Sequence, residues 1–173
     1  MAQTCGFNGF SYADIAAQLG VTKASLHYHF PTKAELGRVL IEQYHVKFAQ
    51  ELEGIDQRRG TAPKKLQHYV ELYHQVMRND RMCLCGMFAA EYATLPPAMQ
   101  GELRRFFDTN DRWLSVVLDE GRRAGEIAFE ESPQERARLL LGTLEGALLI
   151  ARTYDDDGRF RSVAKHLLKE LAP

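Results

Sequence analysis

The amino-acid sequence predicts an all-α protein, a helix-turn-helix head followed by a C-terminal helical bundle. Three observations lead there. Apolar residues recur at helical spacing along nearly the whole chain, with no convincing run of strand-like alternation. Helix-start and helix-stop residues punctuate the chain at short intervals. Two short helical stretches between Ser11 and Phe30 precede much longer ones.

Each element follows from local chemistry. Ser11, with Asp14 three residues on, starts a short helix over 12–18 that stops at Gly20. Thr22 caps a second over 23–29, and Phe30-Pro31 closes it because the residue before proline is pushed out of helical backbone space. Thr32 and Glu35 form a capping-box pattern for a long helix to about residue 52. Gly54 to Gly60 reads as a polar linker. Thr61 and Pro63 open a helix to about residue 78, and another covers 82–94 before Pro96-Pro97. Pro97 opens a helix to about residue 124, with Gly125 as its stop. Ser132-Pro133 and Glu135 start the next, which ends near Tyr154. The last helix carries Phe160, Val163, Ala164, Leu167, Leu168 and Leu171 in one apolar stripe. The head is expected over 1–52 and the body over 53–173.

Composition excludes several classes. The 173 residues carry a net charge of −1, and residues 1–53 hold Lys23, Lys33, Arg38 and Lys47 against five acids. A nucleic-acid role therefore rests on motif geometry and draws nothing from bulk charge. The longest apolar stretch, 139–150, is broken by Glu145 and falls short of the ~20 residues a bilayer span needs. Three cysteines do not suggest a disulfide scaffold. A cytoplasmic protein without a membrane partner is expected. The six histidines show no metal-site spacing, and no nucleophile motif or phosphate loop stands out, so no catalytic site, metal or cofactor is expected.

The stretch 11–30 is the most informative. Leu19-Gly20-Val21 forms a tight turn, and Ile15, Ala16, Leu19, Val21 and Leu26 are expected to build a small core completed by Phe7, Phe10 and Phe30. The outer face of the second helix then offers Lys23, Ala24, Ser25, His27 and Tyr28, a surface suited to a DNA major groove.

These residues resemble the TetR family of bacterial regulators. The likeness runs in order through Gly6-Phe7, Asp14-Ile15-Ala16, Gly20-Val21-Thr22-Lys23-Ala24-Ser25-Leu26, His27-Tyr28-His29-Phe30, Pro31-Thr32-Lys33 and Glu35-Leu36. It implies that Thr22, Lys23, Ala24 and Ser25 face bases or nearby phosphates. By the same likeness Tyr28 and His29 contact the DNA backbone, and Ser11 and Lys33 anchor phosphates. The family favours an aromatic residue where His27 stands, so that contact is expected to differ. It also places a full helix before the Gly-Phe pair, where this chain has Met1 to Cys5, so the first helix is expected to be mostly missing.

The resemblance further implies a ligand-responsive repressor that leaves a palindromic operator when a small, mostly apolar effector binds the body. Candidate effector contacts are Tyr69, Tyr73, Cys83, Met87, Glu91, Asn110 and Trp113, aromatic walls with a few polar groups. The helix 134–153 is apolar almost all round, so it is expected to be covered twice, once by its own bundle and once by a second copy. A homodimer through 134–153 and 159–171 follows. Alternatives are a helical ligand-binding dimer without DNA binding, and a redox or electrophile sensor using Cys83 or Cys85. A cysteine enzyme has only thiols and histidines in its favour.

Overall fold

The computed structural model describes residues 1–173 apart from the side chain of Arg78. The described residues form α1 (Ala2–Cys5), α2 (Tyr12–Leu19), α3 (Lys23–His29), α4 (Lys33–Gln57), α5 (Ala62–Arg78), α6 (Leu84–Ala90), α7 (Pro97–Arg123), α8 (Pro133–Thr153) and α9 (Asp157–Lys169). A single 3₁₀ turn, Tyr92–Thr94, separates α6 from α7, and no described residue lies in a strand. None of these helices is long and apolar enough to cross a membrane.

The helix ends show why these segments are helical. Ser11 and Asp14 make both halves of a capping box at α2, and Gly20 closes that helix in the left-handed conformation at φ 67°. The Thr22 hydroxyl accepts Ser25 N–H at 3.1 Å to start α3. Ser132 and Glu135 repeat the full capping box at α8. At α4 only half of the expected box forms: Thr32 Oγ1 accepts Glu35 N–H at 3.1 Å, but the Glu35 carboxylate turns to Arg38. Thr61 makes no side-chain cap at α5. Ala62 N–H donates instead to Glu126 Oε2 at 2.6 Å, a partner 64 residues away.

Two expectations are corrected. The segment 54–60 is not all linker, because α4 continues to Gln57. Leu52 and Ile55 are buried, and that apolar stripe carries the helix through Gly54. The expected helix 82–94 is also shorter. Cys83 serves as the cap of α6 from outside it, its sulfur accepting Gly86 N–H at 3.5 Å, and the helix ends before Glu91.

The chain divides into two compact units that are discontinuous in sequence. One combines residues 1–47 with 83–106, and the other combines 48–82 with 107–173. In the first, Tyr12, Ala16, Leu26 and Leu36 form a buried cluster with Ile15, Phe30 and Leu40 against it. In the second, α5, α8 and α9 pack on one another around buried Leu66, Leu144, Leu148 and Phe160. The outward side of α8 keeps Leu139, Leu149 and Ile150 exposed.

Candidate nucleic-acid interface

The small core beneath α2 and α3 differs from the expected one in two positions. Leu19 is 64% exposed and Val21 42% exposed, so neither belongs to it. Tyr12 and Leu36 take their place, the Tyr12 hydroxyl donating to Phe30 O at 2.8 Å. The stripe Tyr12-Ile15-Ala16-Leu19 is helical in spacing, but its last member lies beyond the buried cluster. Phe7 and Phe10 are buried as expected, their rings edge to face at 6.3 Å.

This core holds one face of α3 inward through Leu26 and leaves the other in solvent. Thr22, Lys23, Ala24, Ser25, Tyr28 and His29 are all exposed. Tyr28 is 84% exposed, edge-on to the His29 ring at 5.2 Å. His27 is exposed as well, with its ring 4.6 Å from that of Tyr12 and Nδ1 3.3 Å from the Pro31 carbonyl oxygen. Ser11 is exposed, but its hydroxyl donates to Asp14 Oδ2 at 2.7 Å within the cap. That bond holds the Asp14 carboxyl below the usual carboxylate range. A lowered folded-state pKa gives stability above the unfolded value and loses it as pH falls through the folded one, so the α2 cap weakens only in strongly acid solution.

Lys33 is turned inward. Its ammonium donates to the Phe10 carbonyl and lies over the Phe7 and Phe10 rings, 4.6 and 4.5 Å from their centroids. Burial lowers its pKa, partly countered by the charges of Glu91 and Asp14. Arg38 is engaged by Glu35 at 2.8 Å and Glu42 at 3.2 Å. Lys23 is thus the exposed lysine of α3, which bulk charge could not reveal.

The expected effector residues fall into two groups. In the second unit Tyr69, Tyr73, Asn110 and Trp113 come together. The Tyr69 hydroxyl donates to Asn110 Oδ1 at 2.7 Å and lies 3.3 Å from the Tyr73 hydroxyl. The Trp113 ring stacks on Tyr69 at 5.5 Å and 19°, and its Nε1–H donates to Asp56 Oδ2 at 2.9 Å. Tyr69, Tyr73 and Asn110 are buried, so Tyr69→Phe removes a buried hydrogen bond and is expected to cost about 0.5–1.5 kcal/mol in a denaturant titration. In the first unit, Cys83 is buried at the start of α6 and Met87 is half-buried on it. Glu91, just past α6, accepts Phe7 N–H at 2.5 Å and Asn8 N–H at 3.2 Å. No periodicity in the sequence links positions 84 residues apart, so this pairing was invisible there.

Comparison with known proteins gives the family. The family model described as bacterial regulatory proteins of the tetR family matches residues 2–38. That of the tetracyclin repressor-like C-terminal domain matches residues 62–167. The HTH-type transcriptional repressor DhaR of Mycobacterium sp. (strain GP1) is 25% identical over 145 residues, 83% of this chain and 73% of that protein. The transcriptional regulator AcuR of Cereibacter sphaeroides is 26% identical over 151 residues, 85% of this chain and 69% of that protein. A TetR-family regulator from Agrobacterium tumefaciens superposes with a TM-score of 0.94 at 28% identity, covering 97% of this chain and 90% of that one. A TetR regulator from Legionella pneumophila gives 0.89 at 31% identity, covering 98% and 90%. The chain therefore belongs to the TetR family of DNA-binding transcriptional regulators, which are not enzymes.

Proposed function

We propose that this chain is a cytoplasmic homodimeric repressor that leaves a palindromic operator when a small, mostly apolar effector binds. The observation that carries the reading is the solvent-facing side of α3, with Lys23, Ala24, Ser25 and Tyr28 exposed above a packed core. In this reading Thr22 to Ser25 meet base edges and adjacent phosphates. Tyr28 and His29 meet the backbone, and Ser11 lies beside it. His27, exposed on the same helix, offers a contact of a different kind, and Lys33 acts from behind by fixing the head's own backbone. Residues 1–52 supply DNA contact, and 53–173 supply the dimer and most of the effector contacts.

The second copy is proposed to cover Leu139, Leu149, Ile150 and Val163, all exposed. Gly142 and Gly146 share this side of α8, and a Cβ added to either would meet no atom within 4 Å, so a partner helix has room for close approach. Two heads then read half-sites about 34–36 Å apart or a multiple of a turn. The Tyr69, Tyr73, Asn110 and Trp113 cluster is the proposed effector-binding wall of the second unit; in the first unit Cys83, the cap of α6, and Met87 on α6 are proposed as effector-responsive side chains. Effector and operator oppose each other through a coupling free energy of about 1–3 kcal/mol.

The test is a mobility shift of duplex DNA from the protein's own upstream region across a salt series. Sequence-specific binding that weakens steeply with salt is expected. Lys23→Gln should weaken binding to all sequences and lower the salt slope by about 1 per head. No shift at any salt concentration would reduce the chain to a helical ligand-binding dimer.

A further inference from the structure

The segment Gly6 to Phe10 leads directly into α2, and two helices of the same unit grip it. From the end of α6, the Glu91 carboxylate accepts the adjacent N–H groups of Phe7 and Asn8 at 2.5 and 3.2 Å. The following turn adds Asn8 Nδ2–H to Thr94 Oγ1 at 2.9 Å, and the Phe7 ring meets Phe88 of α6 edge-on at 5.7 Å. From the first turn of α4, Lys33 holds the Phe10 carbonyl and covers both phenylalanine rings. Gly6 makes room for this: a Cβ there would lie 2.8 Å from Glu91 Oε1.

A carboxylate accepting two neighbouring backbone N–H groups makes charge-assisted bonds, roughly twice as strong as neutral ones. It also fixes direction, since both amides must point at one side chain. Only Gly9 and Phe10 separate these amides from Ser11, the cap of α2, so whatever moves the end of α6 moves the start of α2. We infer that Glu91 is a positioning residue: it ties the Gly6–Phe10 segment to α6, so that displacement of α6 is passed to the DNA-reading helices α2 and α3. The inference rests on the regulator reading and names the side chain through which the head is set.

Two measurements test it. The first is residue-resolved amide exchange in the full chain. Glu91→Ala is expected to speed exchange at Phe7 and Asn8 about tenfold, with loosening that spreads through α2 and α3 but spares α8 and α9. Glu91→Gln, which keeps the length and one acceptor, should fall between. Unchanged exchange, or a change confined to Phe7 and Asn8, overturns the inference. The second is a double-mutant cycle on affinity for the upstream duplex. Leu84→Ala, a buried residue at the opposite end of α6, should weaken binding in the native background and have no further effect beside Glu91→Ala. An equal effect of Leu84→Ala in both backgrounds also overturns it, because a purely structural Glu91 leaves the two changes additive. If the native protein binds no DNA, the regulator reading fails, and the spread of exchange alone decides for or against Glu91.

Discussion

Ile150→Asp is expected to leave the protomer folded and to dissociate the dimer. The side chain is 56% exposed on the outward face of α8, so the new carboxylate stays hydrated in a single chain. Surface changes of that kind are usually within about 0.5 kcal/mol. In a two-fold interface the same residue enters twice, and each unpaired carboxylate loses its water. A combined penalty of about 4 kcal/mol corresponds to roughly a thousandfold weaker dimer. Sedimentation should show a monomer at micromolar concentration with an unchanged helical signal, and operator binding should drop with it because one head reads one half-site. A variant that stays dimeric would place the interface elsewhere on the molecule.

The second large effect is expected at Gly6. Its backbone sits at φ 75° and ψ −179°, a conformation open essentially to glycine alone. Alanine there adds about 1–3 kcal/mol of strain. Its Cβ would also crowd the Glu91 carboxylate, which must withdraw and release its two amides. Gly6→Ala should therefore lower the thermal midpoint well beyond Gly20→Ala. Gly20 is left-handed too, at φ 67°, but has nothing within 4 Å of an added Cβ, so its cost is only the ~1–2 kcal/mol of that conformation. Equal losses at the two positions would mean that the Glu91 carboxylate shifts without resistance.

Much of this molecule is readable from sequence because its helix ends are governed by near neighbours. Ser11 with Asp14, Thr22, Ser132 with Glu135, and the left-handed Gly20 and Gly125 all act within a few residues of where they stand. The exposed residues of α3 follow from the same local logic, once Leu26 is assigned to the core. What stayed hidden depends on side chains that reach far along the chain. Lys33 had the position of a phosphate anchor, and nothing local revealed that two phenylalanine rings and a carbonyl would draw it inward. Glu91 looked like part of a continuous helix, yet the helix stops before it and its carboxylate serves Phe7 and Asn8. Glu126 capping α5 is a third case. Leu19 and Val21 satisfied an apolar spacing rule, but spacing does not say how far a neighbouring surface extends.

The discontinuity of the first unit bears on how hybrid regulators can be assembled. A head excised at residue 52 and grafted onto a foreign body would carry α2 and α3 intact, yet its Phe7 and Asn8 amides would lose the acceptor that Glu91 provides. The transferable module is residues 1–47 together with 83–106, two strips of chain that must be exchanged as a pair. Chimeras cut by position along the sequence would separate Glu91 from Phe7 and Asn8, whereas those that exchange both strips would keep the three together.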